Sequence, residues 1–259
     1  MERSKPEWSN TVALIDVTPL VFANVYTDPS IPGTDLEMAP AIATVERIER
    51  FNEVYQPASL IATFDAGGAT WRHAKDPNYK ANRRPKPTEI PQQLEAVYDM
   101  LVAKGIECHR IRGWEADDIM ATIWTKQQHI GTDVVIMTRD KDMWQLITGG
   151  TWCYDPMKQV LVGEAEVQAR FGVNPQQMLD FLSIMGDSSD NIPGVKGIGA
   201  KGAAALVTEY GTLEGVYDHL DAIKPKVANK LREGRQSAFA SRDLVRLRCD
   251  VPLGQEQAS

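Results

Sequence analysis

The chain has 259 residues, 43% hydrophobic and 24% charged, enough to bury a sizeable core as one large α/β domain or as a domain with a small appendage. The first ten residues lack an apolar h-region, and residues 12–26 are interrupted by Asp16, Pro19 and Asn24, which argues against a signal peptide or membrane span and gives the expectation of a soluble, cytoplasmic protein. Cys108, Cys153 and Cys249 form no CxxC pair, which excludes a disulfide framework and a zinc knuckle. The net charge of −7 speaks against a broadly phosphate-binding surface, so any nucleic-acid contact has to come from local clusters.

Taken in chain order, residues 11–15 and 59–64 are short apolar, partly β-branched runs that end at Asp16 and Asp65, and residues 133–138 form a third that ends before Arg139-Asp140. They read as buried strands. Between them, residues 39–55, 91–104 and 116–128 have helical spacing. This alternation predicts βαβ units and a parallel sheet with helices on both faces, and in such sheets the ligand site lies outside the carboxyl ends of the strands. Residues 72–86 form a basic run with Arg72, Lys75, Lys80, Arg83, Arg84 and Lys86 against the single acid Asp76, and Trp71 and Tyr79 are interleaved. A solvated loop or a nucleic-acid contact both fit such a run. After Phe171-Gly172 the character changes: the glycine-rich stretch 194–202, with Lys196 and Lys201, leads into a helix-like segment at 203–209. A glycine turn feeding a helix exposes backbone N–H groups suited to a phosphate, although as a lone motif it also fits a plain connector.

Nine carboxylates stand in five clusters: Asp16; Asp65; Glu115, Asp117 and Asp118; Asp140 and Asp142; Asp187 and Asp190. Most close an apolar run or sit beside one, so folding should bring them to one edge. So many negative oxygens in one cleft repel each other unless divalent cations neutralise them. Oxygen donors without nearby Cys or His favour Mg²⁺ or Mn²⁺ over zinc. Asp140 and Asp142 are expected to share one side of an extended segment, and Asp187 and Asp190 would share a face if that stretch is helical. Glu115 is expected at the entrance to the helix that follows, with Asp118 open between metal ligand, outer-sphere partner and N-terminal dipole partner. The four histidines and Trp114 read as structural or solvent-facing; Arg242, Arg246 and Arg248 fit a solvated helix face as well as a nucleic-acid contact.

The stretches Phe64-Asp65-Ala66, Trp71-Arg72-His73, Tyr79-Lys80-Ala81-Asn82-Arg83, Gly113-Trp114-Glu115-Ala116-Asp117-Asp118, Thr138-Arg139-Asp140-Lys141-Asp142 and Gly186-Asp187-Ser188-Ser189-Asp190 through Gly199 resemble the 5′-nuclease, or flap endonuclease, family. That group includes the N-terminal domain of bacterial DNA polymerase I and stand-alone bacterial and phage 5′–3′ exonucleases; with no polymerase region following, the chain is similar to the free-standing kind. The resemblance covers nearly the whole chain. It implies a PIN-like α/β nuclease core at residues 11–172 with a mostly parallel sheet and a helical arch at about 66–114. It implies a helix-three-turn-helix DNA-binding module and C-terminal helices at 173–253. It further implies that the acids hold two Mg²⁺ or Mn²⁺ ions and that Lys80 and Arg83 contact the scissile phosphate. Arg72, His73, Tyr79, Arg84, Lys196, Gly197, Gly199 and Lys201 are the implied DNA contacts. A K⁺ ion is implied at the hairpin through Val195 and Ile198 with Ser188 or Ser189. The activity implied is hydrolysis of DNA at flaps, nicks or free 5′ ends, with RNA primers in hybrids as a second substrate, by a monomer. A structure-specific DNA binder with little catalysis and a PIN-type ribonuclease are the competing readings. Two departures stand out: Val17 follows Asp16 where the family has Gly, and Ala23 or Asn24 stands near the family's arginine, leaving Arg72 or Arg84 to replace it.

Overall fold

The computed structural model describes residues 5–27, 38–85 and 87–254. Six strands form one sheet: β1 (Thr11–Asp16), β2 (Ser59–Thr63), β3 (Glu107–His109), β4 (Asp133–Met137), β5 (Thr151–Asp155) and β6 (Val160–Val162). Their order is β3-β2-β1-β4-β5-β6, parallel throughout except for β6, which returns antiparallel beside β5. Helices α1 (Val17–Thr27) and α2 (Ala39–Tyr55) join β1 to β2; α3 (Trp71–Lys75) and α4 (Ile90–Ala103) join β2 to β3. The next crossover, α5 (Ala116–His129), carries the chain from β3 past β1 to β4. Strand order therefore reverses between β1 and β4, which opens a crevice at their carboxyl ends.

Both faces of the sheet are covered, which is why its strands are continuous apolar runs. Ala13, Ile15, Val135 and Met137 point into a core built with α1, α2 and α4. Their neighbours Val12, Leu14, Val134 and Ile136 point into a second core that extends through α5 into the C-terminal helices. This alternation follows from the period-2 side-chain geometry of a strand.

The C-terminal unit consists of α6 (Glu164–Phe171), α7 (Met178–Met185), α8 (Ala200–Tyr210), α9 (Leu213–Asp218) and the long α10 (Pro225–Val245). A hairpin at 186–199 links α7 to α8, the helix–turn–helix arrangement expected there. Within the expected arch, the described residues of 66–89 contain only the five-residue α3 and a run of turns, with Lys80 in the left-handed region at φ 57°. No described helix is long and apolar enough to cross a membrane.

Candidate active site

Five chain segments deliver the acids to the crevice. Asp16 is the last residue of β1, and α1 follows at Val17 without an intervening turn, its side chain fully buried in the core. Val17 thus anchors the strand end by packing. Thr138 Oγ1 donates to Asp16 Oδ2 at 2.8 Å. Asp65, just beyond β2, accepts from the Ala116 N–H at 3.1 Å. That amide is one of the orphan donors at the start of α5, so the Asp65 carboxylate fixes the helix whose first turn carries Asp117. Glu115 is the N-cap residue of α5, as its spacing predicts.

Two spacing expectations are corrected. Asp140 and Asp142 do not lie in an extended segment: Asp140 caps a 3₁₀ helix, Lys141–Leu146, and its Oδ1 accepts from the Asp142 N–H at 2.8 Å. Asp187 and Asp190 do not share a helix face. Gly186, at φ 76°, ends α7, and Asp187 starts a turn that closes in a bridge to Ile192. The Ser189 N–H and Oγ both donate to Asp187 Oδ1 at 2.7 Å, a side-chain turn that outcompetes helix continuation.

The electrostatics separate the acids into two groups. Burial, followed by repulsion from Asp65, raises the Asp16 carboxyl well above the ordinary range. Burial and then Asp140 do the same to Asp117, and burial raises Asp140. Burial and repulsion from Asp140 push Asp142 up to about 7. Asp142 Oδ1 is buried with no hydrogen-bond partner. Glu115 and Asp187 behave oppositely. Burial pushes each up, but Lys80 and Arg72 outweigh it at Glu115, and Lys141 with Ser189 outweighs it at Asp187, leaving both below the ordinary range.

Those compensating cations come from the protein itself. Lys80 Nζ lies 2.8 Å from Glu115 Oε1 and 3.8 Å from Asp190 Oδ2. Arg83 pairs with Asp190, and Lys141 pairs with Asp187 while lying 3.4 Å from Asp142. The Tyr79 hydroxyl is 3.1 Å from both Glu115 and Asp190. The backbone reinforces the docking: Lys80 N–H donates to Asp190 O at 2.9 Å, Asn82 Nδ2 to Ser188 O at 2.6 Å and Asn191 Nδ2 to Asn78 O at 2.8 Å. The basic run therefore lies down on the 187–191 loop. Among the described residues no three acidic, His or Cys side chains are gathered closely enough to hold an ion without adjustment. A cavity of about 480 Å³ opens beside Asp16, Asp65, Asp117 and Asp140 and is also bordered by Lys80, Arg83 and Arg139. Phe22, Ala23 and Tyr26 also line it, in the neighbourhood of the family's arginine, while Asn24 is buried and its Nδ2 donates to Thr44 Oγ1 at 2.8 Å.

Three expected roles are corrected by burial. Arg72 is 2% exposed and spends every donor inside the protein. Nε donates to Leu244 O at 2.8 Å, Nη1 to Glu115 and Asp118 at 2.8 and 2.7 Å, and Nη2 to Asp118 and Arg246 O at 2.9 and 3.3 Å. It cannot reach DNA. Asp118 is equally saturated: besides Arg72, it accepts from Trp71 Nε1 at 2.8 Å and the Arg248 N–H at 2.9 Å, so no oxygen remains for a metal. Tyr79, 4% exposed and tied to two acids, is an internal brace rather than a DNA contact. His73 closes the capping box of α3 with Thr70, and its ring packs edge-on against Tyr79 at 5.3 Å. Arg84 is exposed.

In the hairpin, Lys196, Gly197, Gly199 and Lys201 are exposed, whereas Val195 and Ile198 are buried. Ser188 and Ser189 belong to the acid loop, Ser189 through Asp187 and Ser188 through Asn82. The hydroxyls beside the hairpin are instead those of α10: Ser237 donates to Gly194 O at 2.6 Å and Ser241 accepts from the Gly194 N–H at 3.0 Å. Lys141 and Thr138 are the site residues the sequence reading passed over. Lys141 lay in plain view between two acids, the position from which a cation offsets them.

Residues 11–172 match the family model of the 5′-3′ exonuclease N-terminal resolvase-like domain, and residues 173–259 that of the 5′-3′ exonuclease C-terminal SAM fold. Flap endonuclease Xni of Cronobacter sakazakii is 37% identical over 200 residues, covering 76% of this chain and 80% of that one. Thermostable DNA polymerase I of Thermus thermophilus is 37% identical over 194 residues, covering 75% of this chain. The chain spans 20–23% of the length of the polymerases from Treponema pallidum and T. thermophilus. Among solved structures, T5 5′-exonuclease with bound zinc superposes with a TM-score of 0.78 at 26% identity, covering 91% of this chain and 89% of that one. The catalytic core of Rad2 in complex with DNA shares the fold at a TM-score of 0.59 and 14% identity. The chain belongs to the 5′-3′ exonuclease family and carries its resolvase-like and SAM-fold domains in that order.

Proposed function

We propose that the protein is a divalent-metal-dependent nuclease that hydrolyses DNA phosphodiesters at or near 5′ ends, on flaps and nicks, leaving a 5′-phosphate and a 3′-hydroxyl. The observation that carries this reading is the charge deficit in the crevice. Asp16, Asp117, Asp140 and Asp142 lie together with no protein cation paired to them as closely as Lys80 is to Glu115, and Asp142 keeps a buried oxygen without a hydrogen bond, 3.4 Å from Lys141 Nζ. A donor set of carboxylate oxygens fits Mg²⁺ or Mn²⁺. Asp16, Asp65 and Glu115 are assigned to a first ion, Asp140, Asp142 and Asp187 to a second, with Asp117 between them and Asp190 at the second site's edge. When bound, such ions supply charge neutralisation on the phosphate and activation of the attacking water.

The remaining work belongs to the chain's own groups. Lys80 and Arg83 border the cavity and bring positive charge to the phosphoryl oxygens as negative charge builds there. Tyr79 and Lys141 hold the acids at fixed positions. The exposed hairpin residues Lys196, Gly197 and Gly199, with Lys201, hold the duplex phosphates at the start of α8, where helix N–H groups favour an anion. For a K⁺ ion at this hairpin, the carbonyls of Val195 and Ile198 with the Ser237 hydroxyl are the donors we assign. RNA annealed to DNA is the second substrate class. A 5′-labelled flap incubated with Mg²⁺ is expected to be cut by the native chain and to survive with Asp140→Ala, as read on a sequencing gel. Equal cutting by both proteins would rule the assignment out.

A further inference from the structure

Among the described residues, three cations border the cavity over the acids, and they are not equally engaged. Lys80 is shared between Glu115 and Asp190, and Arg83 pairs with Asp190. Arg139 is exposed, and its side chain makes no ion pair, hydrogen bond or ring contact with any described residue. Its main chain, by contrast, is fixed on both sides. The Thr138 N–H donates to Tyr154 O at 3.1 Å, the Asp140 N–H donates to Thr138 Oγ1 at 3.0 Å, and Asp140 caps the 3₁₀ helix that follows. Because β4 lies beside β1 and β1 beside β2, Arg139 emerges one strand from Asp16 and two from Asp65. Oxygens of the neighbouring acids are already engaged: Asp140 Oδ1 accepts from the Asp142 N–H and Asp16 Oδ2 from the Thr138 hydroxyl. Nor does α1 bring charge to this cavity; Phe22, Ala23 and Tyr26 border it, and residues 17–27 contain no acidic or basic side chain.

We propose that Arg139 positions the substrate strand by binding the phosphate next to the scissile one, which leaves Lys80 and Arg83 for the scissile phosphate itself. The proposal rests on the nuclease reading, which brings the strand into this cavity. A guanidinium presents a planar fork of N–H donors that matches two phosphate oxygens, and at Arg139 that fork has no partner among the described residues. Lys80 and Arg83 divide their charge between phosphate and carboxylate; Arg139 does not. As the strand displaces water from the cavity the local dielectric falls, which strengthens the contact. Next to a scissile phosphate the strand carries either another phosphodiester or, at a 5′ end, the terminal monoester, and the guanidinium fits both.

Fluorescence anisotropy in EDTA reads binding apart from cleavage, with labelled 5′-flap DNA and the native chain, Arg139→Met and Arg139→Lys. Arg139→Met should weaken binding about tenfold. In that variant the slope of log affinity against log salt should become shallower by about 0.7–0.9, the loss of one phosphate contact, whereas Arg139→Lys should keep the native slope. A purely structural role would not move the salt slope. Two further arms identify the phosphate. If the partner is a phosphodiester, a single neutral methylphosphonate beside the scissile linkage should weaken binding about tenfold more in the native chain than in Arg139→Met. If it is the terminal monoester, exchanging a 5′-phosphate for a 5′-hydroxyl should show that difference instead. Native affinity and salt slope in Arg139→Met, equal losses in both proteins on both arms, or no DNA binding by the native chain overturns the proposal. If flap cutting proves independent of Asp140 while the arginine-dependent difference holds, the nuclease reading falls and the phosphate contact stands.

Discussion

Asp117 and Asp118 are sequence neighbours with opposite fates, because successive residues on a helix point about 100° apart. One faces the crevice and feels Asp16 and Asp140; the other turns back to Arg72, Trp71 and the Arg248 amide. Asp118→Asn should therefore act on stability. Breaking a buried, saturated ion pair costs about 3–5 kcal/mol, which urea unfolding will read, while calorimetric Mn²⁺ affinity should be nearly unchanged. Asp117→Asn should do the reverse: it removes a repelling charge, so the metal-free protein should melt higher and bind Mn²⁺ more weakly. Asp118→Asn weakening Mn²⁺ binding as strongly as Asp117→Asn would return it to the ligand set.

Elements differ in how far the sequence revealed them. The strands leading to Asp16, Asp65 and Asp140 were legible because their apolar runs are buried on both sides, and the glycine-rich hairpin because its pattern is local. Strand β3 was not: three residues, Glu107–His109, with Glu107 exposed, carry too little periodicity. Nor could local pattern show that Arg72 and Tyr79, in an obviously basic and aromatic run, turn inward, since their partners lie 36–174 positions away. Local sequence could not decide between helix and turn at 187–191, because Asp-Ser-Ser-Asp fits both, and the decisive break is Gly186. The hairpin itself depends on glycine at two places. A Cβ on Gly194, at φ 59°, would lie 2.4 Å from Gly186 N, and one on Gly186 would lie 2.6 Å from Ile192 O. Two backbones pass where no side chain fits. Gly194→Ala should destabilise by about 3 kcal/mol or more in a denaturant titration and weaken binding to duplex DNA; native-like stability would mean the strands can separate without loss.

For the molecule as a whole, the crevice sets the pH response. Asp16, Asp117, Asp140 and Asp142 bind protons more tightly folded than unfolded, so their contribution to stability is complete below about pH 4 and is lost as pH rises through their raised values, about 7 for Asp142. Glu115 and Asp187 have the opposite sign: their contribution is present above about pH 4 and disappears only in stronger acid. Between pH 5.5 and 8 the first group governs. In EDTA the melting temperature should fall over that interval, on the order of several degrees, and Mg²⁺ should raise it more at pH 8 than at pH 5.5. A metal-free protein that melts higher at pH 8 would contradict the charge deficit.

Arg72 joins the two halves of the molecule at a single guanidinium: its Nη1 touches Glu115 in the crevice, and its Nε and Nη2 hold the carbonyls of Leu244 and Arg246 at the end of α10. A helix packed behind the hairpin and a carboxylate facing the crevice thus share one rivet, so occupancy at either end is expected to be felt at the other. Such linkage is reciprocal. Blunt duplex without a cleavable flap should therefore change Mn²⁺ affinity, and Mn²⁺ should change duplex affinity by the same factor. In Arg72→Lys, which keeps the charge but lacks the fork, that mutual effect should vanish.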